Sequence, residues 1–345
     1  MKIFYAVQAT GNGHISRAME LLPWLEKKGT VDLFLSGDNS QLNLDAPVKY
    51  RSKGISLYYS CKGGLSYSKM IRNFSFRRIQ RDINDLPVEK YDLVINDFDF
   101  ITAAACKRKK IPSVNFGHQA SFQSGKVPRP QKKNLIGEQL LRHFAHADHY
   151  IGLHFDQYDD FIFKPVIKKE ILEAEPQNKG HVTVYLPSYC IPELVSVFGS
   201  IPDMQFEIFC REIGQPEKRG NLLLLPVNKT RFDESFRNCY GIITGGGFET
   251  PAEALHMGKK LMAIPIKGQY EQQCNAAALE RMGVMCTDSI GAGFRDKFDD
   301  WMNNGKAIRI DYSNSIPQCM NRLFSIAETL PRMEPRAIED LSMSF

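Results

Sequence analysis

Three residues able to move or hold a proton stand where loops are expected. His14 lies in Gln8-Ala-Thr-Gly-Asn-Gly-His-Ile-Ser16, Asp97 directly follows Asp92-Leu-Val-Ile-Asn96, and His118 lies in Asn115-Phe-Gly-His-Gln-Ala-Ser121. A histidine titrates near neutrality and serves as a general base when another group orients its second ring nitrogen. Gly11, Asn12 and Gly13 give His14 flexible backbone at the mouth of a helix, and Asp97 could accept the proton on the far side of the ring. His118 is a further candidate for the same cleft. Each residue also suits an ordinary place: a turn histidine in solvent, or a strand-end aspartate.

A second set of residues suits an anion. Thr244-Gly-Gly-Gly-Phe-Glu-Thr-Pro-Ala-Glu-Ala-Leu-His-Met-Gly258 follows an apolar, β-branched run at Tyr240–Thr244, which predicts strand, glycine turn and helix. Thr250 is expected as N-cap, Pro251 at the first helical position, Glu253 closing a capping box and Gly258 ending the helix. Bare amides after Gly245, Gly246 and Gly247 would make the helix start a phosphate site, although a capped turn with nothing bound uses the same residues. Further on, Ile264-Pro-Ile-Lys-Gly-Gln-Tyr-Glu-Gln-Gln-Cys-Asn275 opens a helix near Tyr270. Glu271 and Gln272 fall in its first turn and Asn275 one turn beyond.

The elements that must position these groups alternate along the chain. Strand patterns at 3–7, 31–36, 54–60, 92–96, 112–116 and 149–153 are separated by helical stretches such as 15–29 and 134–147. A charged stretch at 156–180 breaks the rhythm. It resumes with strands at 181–187, 205–209, 221–226, 240–244, 260–265 and 283–286, and a closing helix from 316 to about 330. Alternating βα units predict parallel sheets covered by helices. The fold class expected is α/β: two tandem doubly wound Rossmann-like domains, 1–160 and 181–330, facing each other across a cleft. Residues 161–180 are the linker and 331–345 a tail. Open α/β sheets bind ligands at the carboxyl ends of their strands, where both sets of residues fall.

Composition narrows the function class. The 345 residues are 43% hydrophobic and 24% charged, with a net charge of +5. That balance permits anionic ligands without singling out nucleic acid, for which only the clusters Lys107–Lys110 and Met70–Asp82 speak. The first reads as a helix end whose cations offset the dipole. The second interleaves aromatics with arginines; a surface helix with Phe and Ile facing the core is the simpler reading, and a membrane contact the other. The chain opens on a strand pattern and no apolar run is long enough to span a bilayer, so neither a signal peptide nor a membrane helix is expected. Eight scattered cysteines without a Cys-x-x-Cys pair suit reduced thiols in a cytoplasm. His143, His146, His149 and His154 lack zinc-motif spacing, so no metal site is expected. Gly11-Asn-Gly13 is a poor dinucleotide fingerprint, because Ser16 holds the third glycine position and Asp38 comes late.

Taken together, Gly-Asn-Gly-His after the first strand, Thr-Gly-Gly-Gly-Phe-Glu-Thr-Pro-Ala-Glu-Ala-Leu and Gly-Gln-Tyr-Glu-Gln-Gln-Cys-Asn-Ala resemble the GT-B glycosyltransferases, of the UDP-glycosyltransferase and lipid II N-acetylglucosaminyltransferase type. The resemblance implies an acceptor-side first domain and a donor-binding second one. It places Gly245, Gly246, Gly247 and Thr250 on a UDP diphosphate and Glu253 on the ribose, a use that competes with the capping box. Glu271, Gln272 and Asn275 would hold the donor sugar, and His14 and Asp97 would be base and orienting acid. Gly11, Asn12, Gly13 and His118 would line the acceptor side. The sequence departs from the family in Gly-Asn-Gly-His where Gly-Gly-His is usual, and it lacks the His-Cys-Gly-Trp of plant enzymes.

The resemblance thus implies an inverting, metal-independent transfer of a hexose or N-acetylhexosamine from a UDP-sugar, without a cofactor. The acceptor would be a bacterial glycan, polyol or lipid-linked molecule in cell-envelope polysaccharide synthesis. No nucleic acid is expected; the enzyme would be cytoplasmic and could touch the inner membrane surface peripherally. A UDP-sugar 2-epimerase and a non-catalytic nucleotide-sugar-binding subunit share the architecture and remain the alternatives.

Overall fold

The computed structural model of the chain describes residues 1–9, 11–37, 46–55 and 75–331. Thr10, Asp38, Cys61, most of the expected 54–60 strand, residues 70–74 and the tail beyond 331 lie outside the described residues.

The first sheet contains β1 (Lys2–Gln8), β2 (Thr30–Ser36), β3 (Val48–Ser52), β4 (Leu93–Asp97), β5 (Val114–Gly117), β6 (His149–Leu153) and β7 (Ile162–Phe163). Their order is β3-β2-β1-β4-β5-β6-β7, and every neighbouring pair is parallel. The second contains β8 (His181–Tyr185), β9 (Gln205–Cys210), β10 (Glu217–Arg219), β11 (Leu222–Pro226), β12 (Gly241–Gly245), β13 (Lys260–Ile264) and β14 (Met285–Cys286). It runs β10-β11-β9-β8-β12-β13-β14, parallel except for the β10–β11 pair. Each sheet is thus doubly wound, with the reversal of strand order between β1 and β4 in one and between β8 and β12 in the other. Crevices open at such reversals. The catalytic candidates follow β1 and end β4, and the glycine turn follows β12.

The helices are α1 (Asn12–Glu26), α2 (Phe76–Asp85), α3 (Phe100–Lys109), α4 (Leu135–His143), α5 (Lys169–Leu172), α6 (Ile191–Gly199), α7 (Lys229–Asn238), α8 (Glu249–Met257), α9 (Tyr270–Arg281), α10 (Phe294–Asn304) and α11 (Ser315–Thr329). Lys107, Arg108 and Lys109 fill the last turn of α3, where cations meet the negative end of the dipole. In α2, Ile79 and Ile83 face the core, but Phe76 is 69% exposed, against the expectation that it turns inward. The edge strand is β3 at 48–52, upstream of the predicted 54–60. That segment is only half-buried, so apolar patterning marks it poorly. The short strands β7 and β10 carry too few residues for any period to show.

One apolar core runs through both lobes. Ile3, Tyr5 and Ile151 of the first sheet join Phe248, Ala252 and Leu261 of the second lobe, and Cys319, Met320 and Leu323 of α11 complete the cluster. Helix α11 packs back on β6 and β7, and the Tyr312 hydroxyl donates to the Phe155 carbonyl at 2.8 Å. A second core supports β12 from its other face and centres on Trp301, which is fully buried and donates from Nε1 to the Leu261 carbonyl at 3.0 Å. A Cβ on Gly241, at the start of β12, would lie 2.8 Å from the Trp301 ring. Trp301→Ala is expected to cost about 3–5 kcal/mol. Denaturant unfolding followed by circular dichroism checks this, with nucleotide binding lost in parallel.

Candidate active site

Asp97 ends β4 and is fully buried. A buried carboxylate has to be compensated by hydrogen bonds or opposite charge, and two residues of α1 do this. His14 Nδ1 lies 2.9 Å from Asp97 Oδ1. One turn along the same helix face, the Arg17 terminal nitrogen donates to both Asp97 oxygens at 2.8 Å. The strand end is locked in turn by Asn96, whose Oδ1 accepts from the Asp99 amide at 2.7 Å and whose Nδ2 donates to the Asp99 carbonyl at 3.0 Å. This turn holds Phe98 at φ 57°, a left-handed conformation that costs a bulky residue energy.

The charges set the protonation states. Burial works against the Asp97 carboxylate, but Arg17 and His14 overcome it and hold its pKa below the usual value. For His14, burial disfavours the charged ring, yet the charge and hydrogen bond of Asp97 prevail and the net direction is up. With Nδ1–H committed to Asp97, the free lone pair of the neutral ring is on Nε2, the arrangement a general base needs. The Arg17 guanidinium sits 3.0 Å from His14 Nδ1. Both groups then carry hydrogens, so that contact persists only because both donate to Asp97.

Facing this pair, Gly245 ends β12, and Gly246 and Gly247 lead into α8. The predicted capping box is absent: Phe248 is the N-cap, with no side-chain cap bond, and Thr250 lies inside the first turn. Glu253 is instead buried beside Lys168, whose Nζ is 3.3 Å from its carboxylate and 2.7 Å from Asp233. An ion pair with a buried lysine outcompetes a cap bond that α8 does not need, since Glu249 already places an acid in its first turn. Gly258 closes the helix at φ 65°. Gly246 is packed tightly: a Cβ there would lie 2.8 Å from the Gln272 carbonyl and 3.0 Å from Pro265. Over Gly247 a Cβ would meet nothing within 4 Å, so the turn has free space at that residue.

The second helix start, at α9, braces this turn. Asn275 is fully buried and donates to the Gly246 carbonyl at 3.0 Å, and Gln272 Oε1 accepts from the Ile266 amide at 2.9 Å. Asn275, expected on the donor sugar, has its amide nitrogen on the glycine turn and its oxygen facing His118. His118, expected to line the acceptor side, is likewise buried in the lobe interface. It stacks on Phe248 with ring centroids 3.9 Å apart at 8°. Its nitrogens face two acceptors, the Leu153 carbonyl at 2.9 Å and Asn275 Oδ1 at 2.7 Å. Burial holds its pKa down to about 3, so the neutral ring donates to one of them at a time. Glu271 accepts from Gln119 of the first lobe at 3.1 Å, and burial raises its pKa.

Sequence reasoning missed Arg17, Glu249 and Lys168. Arg17 had a signal in its three-residue spacing from His14; Glu249 and Lys168 had none, because their partners come from other lobes or segments. Beside the lobe interface lies a groove of about 1130 Å³, with Arg129, Lys133 and Leu135 on one wall and Pro265, Gln273 and Arg281 on the other. Among the described residues, no group of three His, Cys, Asp or Glu side chains is placed to hold a metal ion.

Two facing doubly wound lobes, a histidine–aspartate pair on one and a glycine turn opening a helix on the other, mark a GT-B glycosyltransferase. The model of glycosyl transferase family 1 matches residues 1–295, and the chain belongs to that family: it is an enzyme that transfers sugar from a nucleotide-sugar donor. No curated protein matches the chain. Among solved structures, MurG of Acinetobacter baumannii is similar at 14% identity, over 94% of this chain and 99% of its own, with a TM-score of 0.56. UGT89C1 of Arabidopsis thaliana, complexed with UDP-L-rhamnose, is 13% identical over 95% and 93%, with a TM-score of 0.59. UGT2 of Phytolacca americana, complexed with UDP-2-fluoro-glucose and pterostilbene, is 13% identical over 97% and 95%, with a TM-score of 0.56. At such identities the likeness shows a shared fold.

Burial lifts the Glu253 pKa to about 7, against the pull of Lys168. A carboxyl whose folded pKa is raised stabilises the native state most below its ordinary pKa of about 4.5, and that contribution is lost as pH rises through 7. Glu253→Gln removes this dependence. Its stability relative to the native chain is expected to rise by on the order of 2 kcal/mol between pH 5 and 8, measured by denaturant unfolding at each pH.

Proposed function

We propose that the enzyme is an inverting, metal-independent transferase that moves a hexose or N-acetylhexosamine from a UDP-sugar to a lipid-linked acceptor of bacterial envelope polysaccharide synthesis. The observation that carries this reading is the His14–Asp97 pair on one lobe, facing the open glycine turn of α8 on the other. His14 Nε2 takes the proton of the acceptor hydroxyl. The acceptor oxygen attacks the anomeric carbon from the side opposite the nucleotide, and the carbon–oxygen bond to UDP breaks, so the configuration inverts. UDP leaves with the bonding electrons. Its diphosphate is met by the amides after Gly245, Gly246 and Gly247 and by the Thr250 hydroxyl, each well-placed donor worth about 3 kcal/mol in the transition state. Glu253 is the acceptor proposed for the ribose hydroxyls, shared with Lys168, and Glu271 and Gln272 are proposed for the sugar. The plant structures solved with UDP-sugars support this donor class.

The lipid-linked acceptor is supported by α4. Leu135 is 78%, Ile136 75% and Leu140 54% exposed; Ile136 and Leu140 share one face at i, i+4, and Leu135 lies one residue round the helix from Ile136. Lys132 and Lys133, both exposed, precede them, and Leu135 and Lys133 border the groove between the lobes. An apolar ridge beside lysines suits a peripheral contact with an anionic lipid surface, here at α4 rather than at 70–82. Among the described residues no helix is long and apolar enough to cross a membrane.

His14→Ala is expected to cut transfer by about 100- to 10,000-fold while UDP binding by calorimetry stays unchanged; normal turnover would take His14 out of the reaction. Sedimentation with phosphatidylglycerol vesicles should carry down the native chain and leave Leu135→Ser/Ile136→Ser/Leu140→Ser in solution. Equal partitioning would remove α4 from the membrane contact and with it the support for a lipid-linked acceptor.

A further inference from the structure

The Arg17 guanidinium is shared between lobes. One nitrogen grips Asp97, and the other donates to the Glu249 carboxylate in the first turn of α8. Arg17 is nearly wholly buried, whereas the Glu249 side chain keeps 22% exposure. The Glu249 carboxylate rests against Gly13, where a Cβ would lie 2.3 Å from Oε2 and 2.7 Å from Cδ. The helix residue directly before His14 therefore has no side chain in the place that an acid of the opposite lobe occupies. Gly13 is not in a left-handed conformation, so close approach accounts for this glycine.

From this contact we infer that Glu249 is a positioning residue for His14, acting across the cleft through Arg17 and the bare backbone of Gly13. Without Glu249, the Arg17 charge falls on the His14–Asp97 pair alone. It competes for Asp97 and opposes a proton on His14. With Glu249 docked, half of that charge is answered from the other side and Asp97 serves the histidine more fully. His14 is then most basic when the lobes are together, the state in which acceptor and donor meet.

The other charges around His14 come from every neighbouring element. Asp97 of β4 raises its pKa, Arg17 of its own helix lowers it and Glu249 raises it. Glu271 of α9 and His118 after β5 also feel the ring. Tyr5 of β1 couples to Asp97 and Arg17 and stays neutral because of its burial, and Glu249 in turn raises the Glu253 pKa. Removing the Glu249 charge takes away a force favouring the protonated ring, so the midpoint must fall.

This role rests on His14 being the base, but its test reads the ring itself and needs no substrate. The full chain, labelled with 13C at histidine Cε1, is titrated by NMR, with the His14 resonance assigned by its loss in His14→Gln. Glu249→Gln is expected to lower the His14 midpoint by about half a pH unit or more. Gly13→Ala, which suits a helix better than glycine and so folds, is expected to lower it likewise by displacing the carboxylate. The double variant should fall no further than either single one, since both act through one contact. An unchanged His14 midpoint in either single variant, or two falls that simply add, would overturn the assignment. Loss of activity in His14→Ala is a separate result and bears on the transfer reaction alone.

Discussion

A carboxylate buried without water must be answered by charge and hydrogen bonds on the spot. Asp97 is in that position at the end of β4, and much of the site follows from it. It needs Arg17 to stay ionised, it accepts a hydrogen bond from His14 Nδ1–H, and it requires Asn96 to hold the turn behind it. The three side chains become a unit because β1 and β4 are neighbours, so that α1, starting four residues beyond β1, passes over the end of β4. Removing Asp97 would leave the Arg17 charge buried between Glu249 and nothing.

The same economy joins the lobes. Phe248, the residue that starts α8, fills the interface by stacking on His118, and Asn275 ties that ring to the glycine turn through the Gly246 carbonyl. The turn is thus shaped from behind by α9 and from in front by the first lobe, while the face over Gly247 stays clear. Asn275, which resembles a sugar ligand in the sequence, also braces the backbone proposed to meet the anion, through the Gly246 carbonyl. That contribution is indirect: an amide group held in place makes a stronger site for charge than a mobile one.

The placement of α11 extends this coupling to the whole molecule. A helix at the end of the second half packs on β6 and β7 of the first, and its Cys319, Met320 and Leu323 belong to the core that runs from Ile3 to Leu261. Lobe arrangement is therefore backed by apolar burial, the largest favourable term in folding, and the polar cross-lobe contacts set its geometry at the site.

The amino-acid sequence on its own determined the alternation of strands and helices, the doubly wound α/β class and the glycine turn before a helix. Those features are local: a buried parallel strand is a continuous apolar run, and a turn into a helix needs glycine at fixed places. That β1 and β4 lie side by side and so bring His14 to Asp97 across 83 positions was decided by the tertiary structure. The sequence did not determine β3, β7 or β10, whose patterns are too short or too polar to read. Nor did it decide what Glu253, Asn275, His118 and Glu249 do. A carboxylate near the start of a helix looks the same in sequence whether it caps, pairs with a buried lysine or crosses a cleft; the fold decided, by bringing Lys168 to Glu253 and Arg17 to Glu249 across 85 and 232 positions of chain.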